Sequence, residues 1–364
     1  MFIDISSDHF RQVFKKEIFY LPKRWDGKDF RSTIESLFDN YRKELRIAVG
    51  SLNYDEGFED IDTLCDGIIG SIESYFSGHP AKAFERFNSV MDLLMKQPIK
   101  TYQKTGWGEF FSYRGDPLQL FRVRNVEQNT VYTRSDIFHT PYNLRSKVTT
   151  CRYSIAGYPS LYLGTSLELC GEESKISSLK ELQIASRFEL VRNRRHNNTS
   201  IEVIELAVKP QDFLSEKEIA NIENERIIGR KFDELRLSST ETISAYISWY
   251  PLIAACSFMR VSKSDPFAAE YIIPQLLMQW IRQKNEYDEL FGVRYFSCAS
   301  VRASEMGFNY IFPVSGKRYK GDSQYCDTLA KSFRLTAPAF IHEYFSYEEA
   351  EGALLGDLDI SNIF

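Results

Sequence analysis

The sequence predicts an α+β protein, in which an all-helical amino-terminal domain precedes a domain of short mixed strands and helices. Three observations favour this fold class: apolar residues at helical spacing up to about residue 110, short alternating runs after Pro117, and helical segments between those runs. The length of 364 residues fits two domains, at about 100–200 residues per domain. We therefore predict one domain at residues 1–112 and a second at 113–364.

The first domain contains three helical patterns, at residues 30–38, 60–76 and 83–94. A Gly-His-Pro sequence at 78–80 separates the last two patterns, because glycine and proline interrupt helices. Few polar residues in this region are arranged for chemistry. We therefore expect a helical accessory domain.

The second domain alternates between strand and helix patterns. The predicted strands are residues 120–124, 160–164, 188–190, 201–208, 292–296, 309–313 and 339–345. One predicted helix begins at Leu167, and three others lie at residues 215–220, 241–253 and 271–282. The acidic stretch 348–359 predicts a solvated carboxy-terminal helix and tail.

The composition excludes several classes of protein. The formal net charge is −5, with 45 Lys+Arg against 50 Asp+Glu, whereas nucleic-acid binding usually requires a basic surface. The one dense basic cluster, residues 192–196, predicts a solvated loop. No apolar run reaches the ~18–20 residues that span a bilayer, and no secretory leader is visible, so we expect no membrane partner and a cytoplasmic location.

The cysteines and histidines give no sign of a metal site. The six cysteines contain no CxxC pair, and the five histidines are not spaced with them as metal ligands. The common signatures GxxxxGK[ST], GxGxxG, GxSxG and HExxH are also absent. These absences disfavour P-loop NTPases, Rossmann dehydrogenases, α/β-hydrolases and zinc peptidases.

Four short polar stretches remain as candidates for chemistry. They are Phe-Arg-Val-Arg at 121–124, Cys-Arg-Tyr-Ser-Ile-Ala-Gly-Tyr-Pro-Ser-Leu-Tyr-Leu-Gly at 151–164, Cys-Gly-Glu-Glu at 170–173, and Gly-Val-Arg-Tyr-Phe-Ser at 292–297. In this order they resemble the RES domain, whose pattern runs from an Arg through a Gly-Pro turn to a Tyr, a helical Glu, a late Tyr-x-Ser strand and an Asn. Arg152 precedes Tyr162 by ten residues, and Tyr162 precedes Glu173 by eleven. Asn309 takes the late Asn position.

The match departs from the family pattern at two places. The family's first Arg often follows two glycines, whereas Arg152 follows Thr-Cys. Glu172 and Glu173 are adjacent, and the spacing favours Glu173 as the functional residue. The amino-terminal region resembles HEPN-like extensions found before some RES domains, without their nuclease motif, so we assign it no catalysis.

The resemblance implies an ADP-ribosyltransferase-like fold that cleaves the nicotinamide–ribose bond of NAD, with no cofactor beyond NAD as the substrate and no metal. In that role Glu173 stabilises the positive charge that develops on the ribose. Arg152 binds the pyrophosphate with its forked guanidinium, and Arg122 assists. Tyr162 stacks on the nicotinamide, Ser297 orients the ribose or carboxamide, and Asn309 completes the NAD-binding set. Water and inorganic phosphate remain alternative nucleophiles.

Each of these roles has a structural alternative. Arg152 and Glu173 could form a surface ion pair worth ~0–1 kcal/mol. Tyr162 could be a core residue and Ser297 a strand-end serine. Arg124, on the same strand face, could replace Arg122 at the phosphate. We favour a structural over a catalytic role for His139, which lies between the first two polar stretches.

At the level of the whole protein, the resemblance implies a bacterial toxin or anti-phage defence effector. Members of the family commonly pair with an antitoxin that blocks the site, so we expect such a protein partner, and a homo-oligomer is a further alternative. Two other functions stay open. One is an ADP-ribosyltransferase that modifies a macromolecule, and the other is a module that binds NAD or ADP-ribose without cleaving it.

Overall fold

The computed structural model describes most of the chain, with gaps. It describes residues 16–49, 55–96, 104–105, 119–127, 131–174, 182–190, 202–209, 240–262, 264–284, 291–315 and 324–363. Three features predicted from the sequence lie outside these residues: the domain boundary at 112, the basic cluster at 192–196 and the helix at 215–220. In the part that is described, no helix is long and apolar enough to cross a membrane.

The described elements alternate between helix and strand along the second half of the chain. The α-helices are Phe30–Val49 (α1), Asp55–Phe76 (α2), Pro80–Lys96 (α3), Arg134–Ile137 (α4), Leu167–Glu173 (α5), Thr240–Ala255 (α6), Ile272–Lys284 (α7), Asp327–Ser332 (α8) and Tyr347–Gly356 (α9). The strands are Lys104–Thr105 (β1), Leu120–Asn125 (β2), Ser160–Gly164 (β3), Gln183–Leu190 (β4), Glu202–Leu206 (β5), Phe291–Phe296 (β6), Phe308–Pro313 (β7), Phe333–Thr336 (β8), Ala339–Phe340 (β9) and Ile360–Ser361 (β10).

The strands form one mixed sheet of ten strands. Its order is β1-β5-β6-β7-β3-β2-β4-β8-β10, and β9 pairs with β4 beside this path. β5 and β6 run parallel, whereas β6–β7, β7–β3, β3–β2 and β2–β4 are antiparallel. A mixed sheet with interposed helices, after a helical amino-terminal region, confirms the α+β prediction.

The described chain divides into two compact units. The first comprises Met1–Lys104 and Val208–Trp280, and the second comprises Thr105–Ala207 and Ile281–Phe364. Segment 208–280, which the predicted boundaries assign to the second domain, thus groups with the amino-terminal helices. The reason is the character of α6, whose aromatic and aliphatic side chains, such as Tyr246, Trp249 and Leu252, are buried.

The second unit builds its core on both faces of the sheet. One cluster includes Leu161, Leu163 and Phe312, and the other includes Phe121 and Cys170. Side chains alternate between the two faces of a strand, so each cluster draws on every second residue. The strands β3 and β7 contribute Leu161, Leu163 and Phe312 to the first cluster, on one face of the sheet.

The carboxy-terminal end differs from its prediction. The predicted strand 339–345 ends after Phe340, because a 3-10 turn at Ile341–Glu343 follows β9. The acidic helix α9 is not simply solvated, since Ala350 and Leu354 are buried in the cluster that contains Phe121. Its acidic residues Glu348 and Glu349 are exposed. These charged residues dominate the sequence pattern, which therefore does not indicate the two buried positions.

Candidate functional site

Three neighbouring strands bring polar and aromatic residues to one face of the sheet. Gly164 of β3 pairs with Asn309 of β7, and Asn309 pairs with Tyr295 of β6. Paired residues in antiparallel strands point to the same side, and Tyr162 lies two residues before Gly164. Tyr162, Gly164, Tyr295 and Asn309 therefore share one face, which we call the Tyr162 face.

The Tyr162 face is completed by a carboxylate from α5. Asn309 Nδ2 donates a hydrogen bond to Glu173 Oε1 at 2.7 Å, and Asn309 itself is buried. Glu173 is exposed, and its second oxygen makes no hydrogen bond with any residue that the structure describes. Its neighbour Glu172 makes neither a hydrogen bond nor an ion pair with the described residues. Of the two adjacent glutamates, Glu173 is thus the one held at the face.

The close approach of α5 to the sheet depends on Gly164. A Cβ at Gly164 would lie 2.7 Å from Cys170 Sγ, which is well inside van der Waals contact. Ser166 begins the helix, and its Oγ accepts a hydrogen bond from the Leu169 amide at 3.2 Å. The glycine at the end of β3 and the serine cap together fix where Glu173 emerges.

A tight turn places Arg152 next to the same residues. Cys151 and Ser154 exchange backbone hydrogen bonds of 2.9 and 3.2 Å. Ser154 Oγ then lies 2.8 Å from Tyr162 OH, and the Tyr153 ring lies 4.7 Å from the Tyr295 ring between centroids. Arg152, inside this turn, is only 9% exposed. The turn is therefore anchored to the Tyr162 face by its two residues after Arg152.

The pKa of Tyr295 reflects the groups that surround it. Burial raises the pKa of Tyr295 well above the ordinary value of a phenol, and Glu173, Tyr162 and Tyr153 add to the rise. Arg152 acts in the opposite direction because its positive charge favours the phenolate. The structure thus brings Arg152, Tyr162, Glu173 and Asn309 into one neighbourhood around a neutral Tyr295.

Arg122 lies apart from this group. Its neighbour Phe121 pairs with Gly164, so alternation along β2 directs Arg122 to the opposite face of the sheet. Its Nη1 donates to the backbone oxygen of Tyr162 at 3.0 Å, and its buried Nε has no hydrogen-bond partner among the residues that the structure describes. Burial, followed by the charge of Arg124, lowers the pKa of Arg122 to about 9. Arg122 contacts the backbone of the site strand but does not reach the Tyr162 face.

Arg124 does not replace it. Its guanidinium donates to the backbone oxygens of Asp136 and Phe138, at 2.6 and 3.0 Å. Arg124 therefore fastens the 136–138 segment to β2, and it lies on the same face as Arg122.

Ser297 is fully buried at the end of β6. Its Oγ accepts a hydrogen bond from the Ala299 amide at 3.1 Å, which is a local turn contact. Among the described residues, no hydrogen bond joins Ser297 to Arg152, Tyr162 or Glu173. The geometry agrees with the alternative of a strand-end serine.

His139 is held by two hydrogen bonds in the core. Its Nδ1 lies 2.8 Å from Thr140 O, and its Nε2 accepts from the Cys326 amide at 2.8 Å. These partners define the neutral tautomer, with the proton on Nδ1. Burial lowers the pKa of His139 to about 4. These contacts agree with the structural alternative for His139.

Sequence reasoning did not assign roles to Tyr153, Ser154 and Tyr295. Tyr153 and Tyr295 lie inside the recognised stretches, but as aromatic residues they resemble ordinary core positions. The available signal was position, since Tyr153 follows Arg152 directly and Tyr295 precedes Ser297 by two residues. Only the pairing of β6 with β7 shows that Tyr295 lies beside Asn309.

The site contains one carboxylate, one guanidinium and several phenol groups, without a metal-binding cluster. In the described part of the chain, no group of three or more His, Cys, Asp or Glu residues is placed to hold a metal ion. The six cysteines form no disulfide, and five of them are buried. The arrangement can therefore bind an anionic, ring-containing ligand and stabilise a positive charge beside Glu173.

Comparison with curated proteins shows a similarity along most of the chain. A protein of Bacillus subtilis (strain 168), named "Putative toxin YopC", is 27% identical over 342 residues, which cover 91% of this chain and 70% of the relative. No family model matches the chain, and no solved structure matches it. The RES assignment and the ADP-ribosyltransferase-like fold remain predictions from the motifs. The chain is thus similar along most of its length to a protein that carries the name of a toxin.

Proposed function

We propose that this protein is an NAD-degrading enzyme that cleaves the nicotinamide–ribose bond and acts as a toxin. The observation that carries the proposal is the Glu173–Asn309 hydrogen bond of 2.7 Å beside Tyr162 and Arg152. It holds a solvent-accessible carboxylate in a fixed orientation with one oxygen open to a ligand. The RES-like order of the motifs and the toxin name of the relative support the same function.

In the proposed reaction, the glycosidic bond between the ribose carbon and the nicotinamide nitrogen breaks. The electron pair of that bond goes to the nicotinamide ring, which leaves neutral, and the ribose carbon becomes oxocarbenium-like. Glu173 stabilises this positive charge from close range. Water then adds to the ribose carbon and loses a proton to solvent, or inorganic phosphate adds in its place.

The other groups bind and orient NAD. Arg152 offers a forked guanidinium to the pyrophosphate, and Tyr162 offers a ring edge or face to the nicotinamide. Tyr153 and Tyr295 pack against each other beside these groups, with ring centroids 4.7 Å apart. Arg122 contributes indirectly, through its hydrogen bond to the Tyr162 backbone.

The decisive experiment compares two adjacent carboxylates. Purified protein is incubated with NAD, with and without phosphate and cell extract, and released nicotinamide is measured by chromatography. We expect Glu173→Gln to lower the rate by about 100-fold or more, because it removes the charge that acts in the transition state. Glu172→Gln is the matched control and should keep the rate within about twofold.

The same assay separates the alternatives. With NAD labelled in the adenine ring, label on a macromolecule would indicate ADP-ribosyl transfer, and free ADP-ribose would indicate hydrolysis. Thermal stabilisation by NAD without nicotinamide release would indicate a binding module and would overturn the enzymatic proposal. An unchanged rate in Glu173→Gln would refute the site.

The toxin role has its own test in cells. Induced expression in a bacterium should arrest growth and lower total NAD, while Glu173→Gln should do neither. A partner protein that covers the Tyr162 face should restore growth when it is expressed together with the wild-type chain. Growth arrest that Glu173→Gln retains would separate toxicity from NAD cleavage.

A further inference from the structure

A second concave surface lies in the unit formed by Met1–Lys104 and Val208–Trp280. It is a cavity of about 330 Å³, and no step of the proposed reaction uses it. Its walls combine aromatic rings with carboxylates, and such a lining is more typical of a ligand-binding site than of a packed core.

The aromatic walls are Trp25, Phe30, Phe76 and Phe267. Trp25 and Phe30 meet edge to face, with ring centroids 5.1 Å apart. Phe76 and Phe267 are 47% and 51% exposed, although both rings are large and apolar. Exposed aromatic side chains gathered around one concavity are typical of a binding site.

The acidic part of the cavity centres on Glu270. This residue is only 2% exposed, and its Oε1 accepts one hydrogen bond, from the Val261 amide at 3.2 Å. Among the described residues, none forms an ion pair with Glu270, and its Oε2 has no hydrogen-bond donor. A buried carboxylate is costly unless a cation or several donors compensate its charge.

Other polar groups of the lining leave this charge uncompensated. Asp29 and Asp265 add two more carboxylates, and Asp29 is occupied by Ser32 at the start of α1. Lys28 is the basic residue of the lining, and its Nζ lies 3.8 Å from Asp26. Among the lining residues, three carboxylates stand against one ammonium, and the Arg260 guanidinium beside the lining donates to the backbone oxygens of Ser262 and Asp265.

A donor in the same lining also lacks a partner. The indole Nε1 of Trp25 is buried and makes no hydrogen bond in the described structure. Buried indole N–H groups usually find an acceptor. Trp25 and Glu270 thus contribute a buried donor and a buried carboxylate to the lining of one cavity.

We propose that this cavity binds a guanidinium group. A guanidinium is planar and weakly hydrated, stacks on aromatic faces, and donates paired N–H groups to a carboxylate. Each of these properties matches one component of the lining, namely the exposed rings and Glu270. A free small molecule and an arginine side chain of another protein both present this group, and the experiment distinguishes these two sources.

The indole N–H signals of the full chain provide a direct test. The protein has four tryptophans, so ¹⁵N labelling gives four indole signals, and Trp25→Phe identifies the signal of Trp25. The probes are N-acetyl-arginine amide and N-acetyl-citrulline amide, which have similar shape but differ in charge. We expect a saturable shift of the Trp25 signal with the arginine probe, and binding at least about tenfold weaker with the citrulline probe.

Matched variants assign the binding to the cavity. Glu270→Gln should weaken the arginine probe at least about tenfold, while Glu85→Gln, an exposed change on α3, should leave its affinity unchanged. If Glu270→Gln fails to fold, Phe267→Ala tests the aromatic wall and should also weaken binding. No saturable shift, equal affinity of both probes, or unchanged affinity in the folded variants would overturn the proposal.

Two further probes identify the source of the guanidinium. Tighter binding of free agmatine than of acetyl-Gly-Arg-Gly amide would support a small-molecule ligand. The reverse order would support an arginine presented by a partner protein. Nicotinamide release is not part of this test, so its outcome is independent of the proposed reaction.

Discussion

Arg152 and Arg122 have the same side chain but different surroundings. Arg152 sits in the turn that contacts the Tyr162 face, whereas Arg122 lies across the sheet and donates to the Tyr162 backbone. The sequence places both in a plausible order for phosphate binding. The register between β2 and β3 distinguishes them, and a pairing register between distant segments cannot be read from one sequence.

This difference predicts an order of effects on NAD binding. Arg152→Lys keeps the charge but loses the forked donors, so the KM for NAD should rise by about tenfold. Arg122→Lys should change KM less, because its side chain does not reach the Tyr162 face. Steady-state kinetics of nicotinamide release measure both values. The opposite order would return the phosphate-binding role to Arg122.

His139 predicts how stability depends on pH. Its pKa is about 4 in the folded chain, below the value of about 6.5 for an unfolded histidine. Between these values the unfolded state binds more protons, so the free energy of unfolding falls as the pH drops from 7 to 4. The contribution of this group amounts to roughly 3 kcal/mol.

A substitution isolates that contribution. His139→Gln keeps a donor and an acceptor but has no titratable group, so its stability should vary less over the same pH range. Thermal or denaturant unfolding of both proteins, followed by circular dichroism from pH 7 to pH 4, measures the difference. Parallel curves for wild type and variant would contradict the assignment of a buried neutral His139.

At the scale of elements, α9 holds α5 against the sheet. Glu351 of α9 accepts a hydrogen bond from the Leu167 amide at 2.9 Å, at the first turn of α5. Gly171 packs so closely on α9 that an added Cβ would lie 2.4 Å from Tyr347 Oη. Because α5 also carries Glu173, the packing of α9 sets the position of the proposed catalytic carboxylate.

A pair of glycine substitutions tests this packing. Gly171→Ala should displace α5 or Tyr347, lowering both the melting temperature and nicotinamide release. Gly352→Ala on α9 is the matched control, since nothing lies within 4 Å of its added Cβ. It should leave release unchanged and add up to about 1 kcal/mol of helix stability. Recovery of release in Gly171→Ala with Tyr347→Ala would confirm the contact, and an unaffected Gly171→Ala would contradict it.

The helices and strands themselves were largely predictable from the sequence, but which of them pack against each other was not. Strands at 160–164, 292–296 and 309–313 show alternation or glycine punctuation, which is a local signal. The 3-10 turn after Phe340 has no such signal, because Ile341 is buried and extends the apolar pattern. The role of α9 was missed for a different reason. Its contact with α5 joins Leu167 and Glu351, which are 184 residues apart in the sequence.

At the scale of the whole molecule, the first unit is built from two distant segments. Tyr41 OH donates to Ile247 O at 2.6 Å, and Tyr250 OH donates to Ile18 O at the same distance. Phe19 packs against both Tyr41 and Tyr250. Periodicity identified the amino-terminal helices correctly, but it contains no information on which later segment covers them.

This organisation makes truncation at the predicted boundary informative. A fragment of residues 113–364 would lack the helices that cover α6 and would expose buried side chains such as Trp249 and Tyr250. We therefore expect the fragment to aggregate or to bind hydrophobic dyes, whereas the full chain stays monodisperse. Size-exclusion chromatography compares them. A stable, monodisperse fragment would show that 208–280 folds without the amino-terminal helices.

The assembly of the site also has a consequence for synthesis. The carboxylate comes from residue 173, its hydrogen-bond donor from residue 309, and the helix that positions it from Tyr347–Gly356. A ribosome makes these segments in that order, at about 5–20 residues per second, so the carboxylate is synthesised well before its donor and its supporting helix. We therefore expect a nascent chain that lacks these later segments to release no nicotinamide. Incomplete chains, released early, carry Glu173 without the strand that orients it.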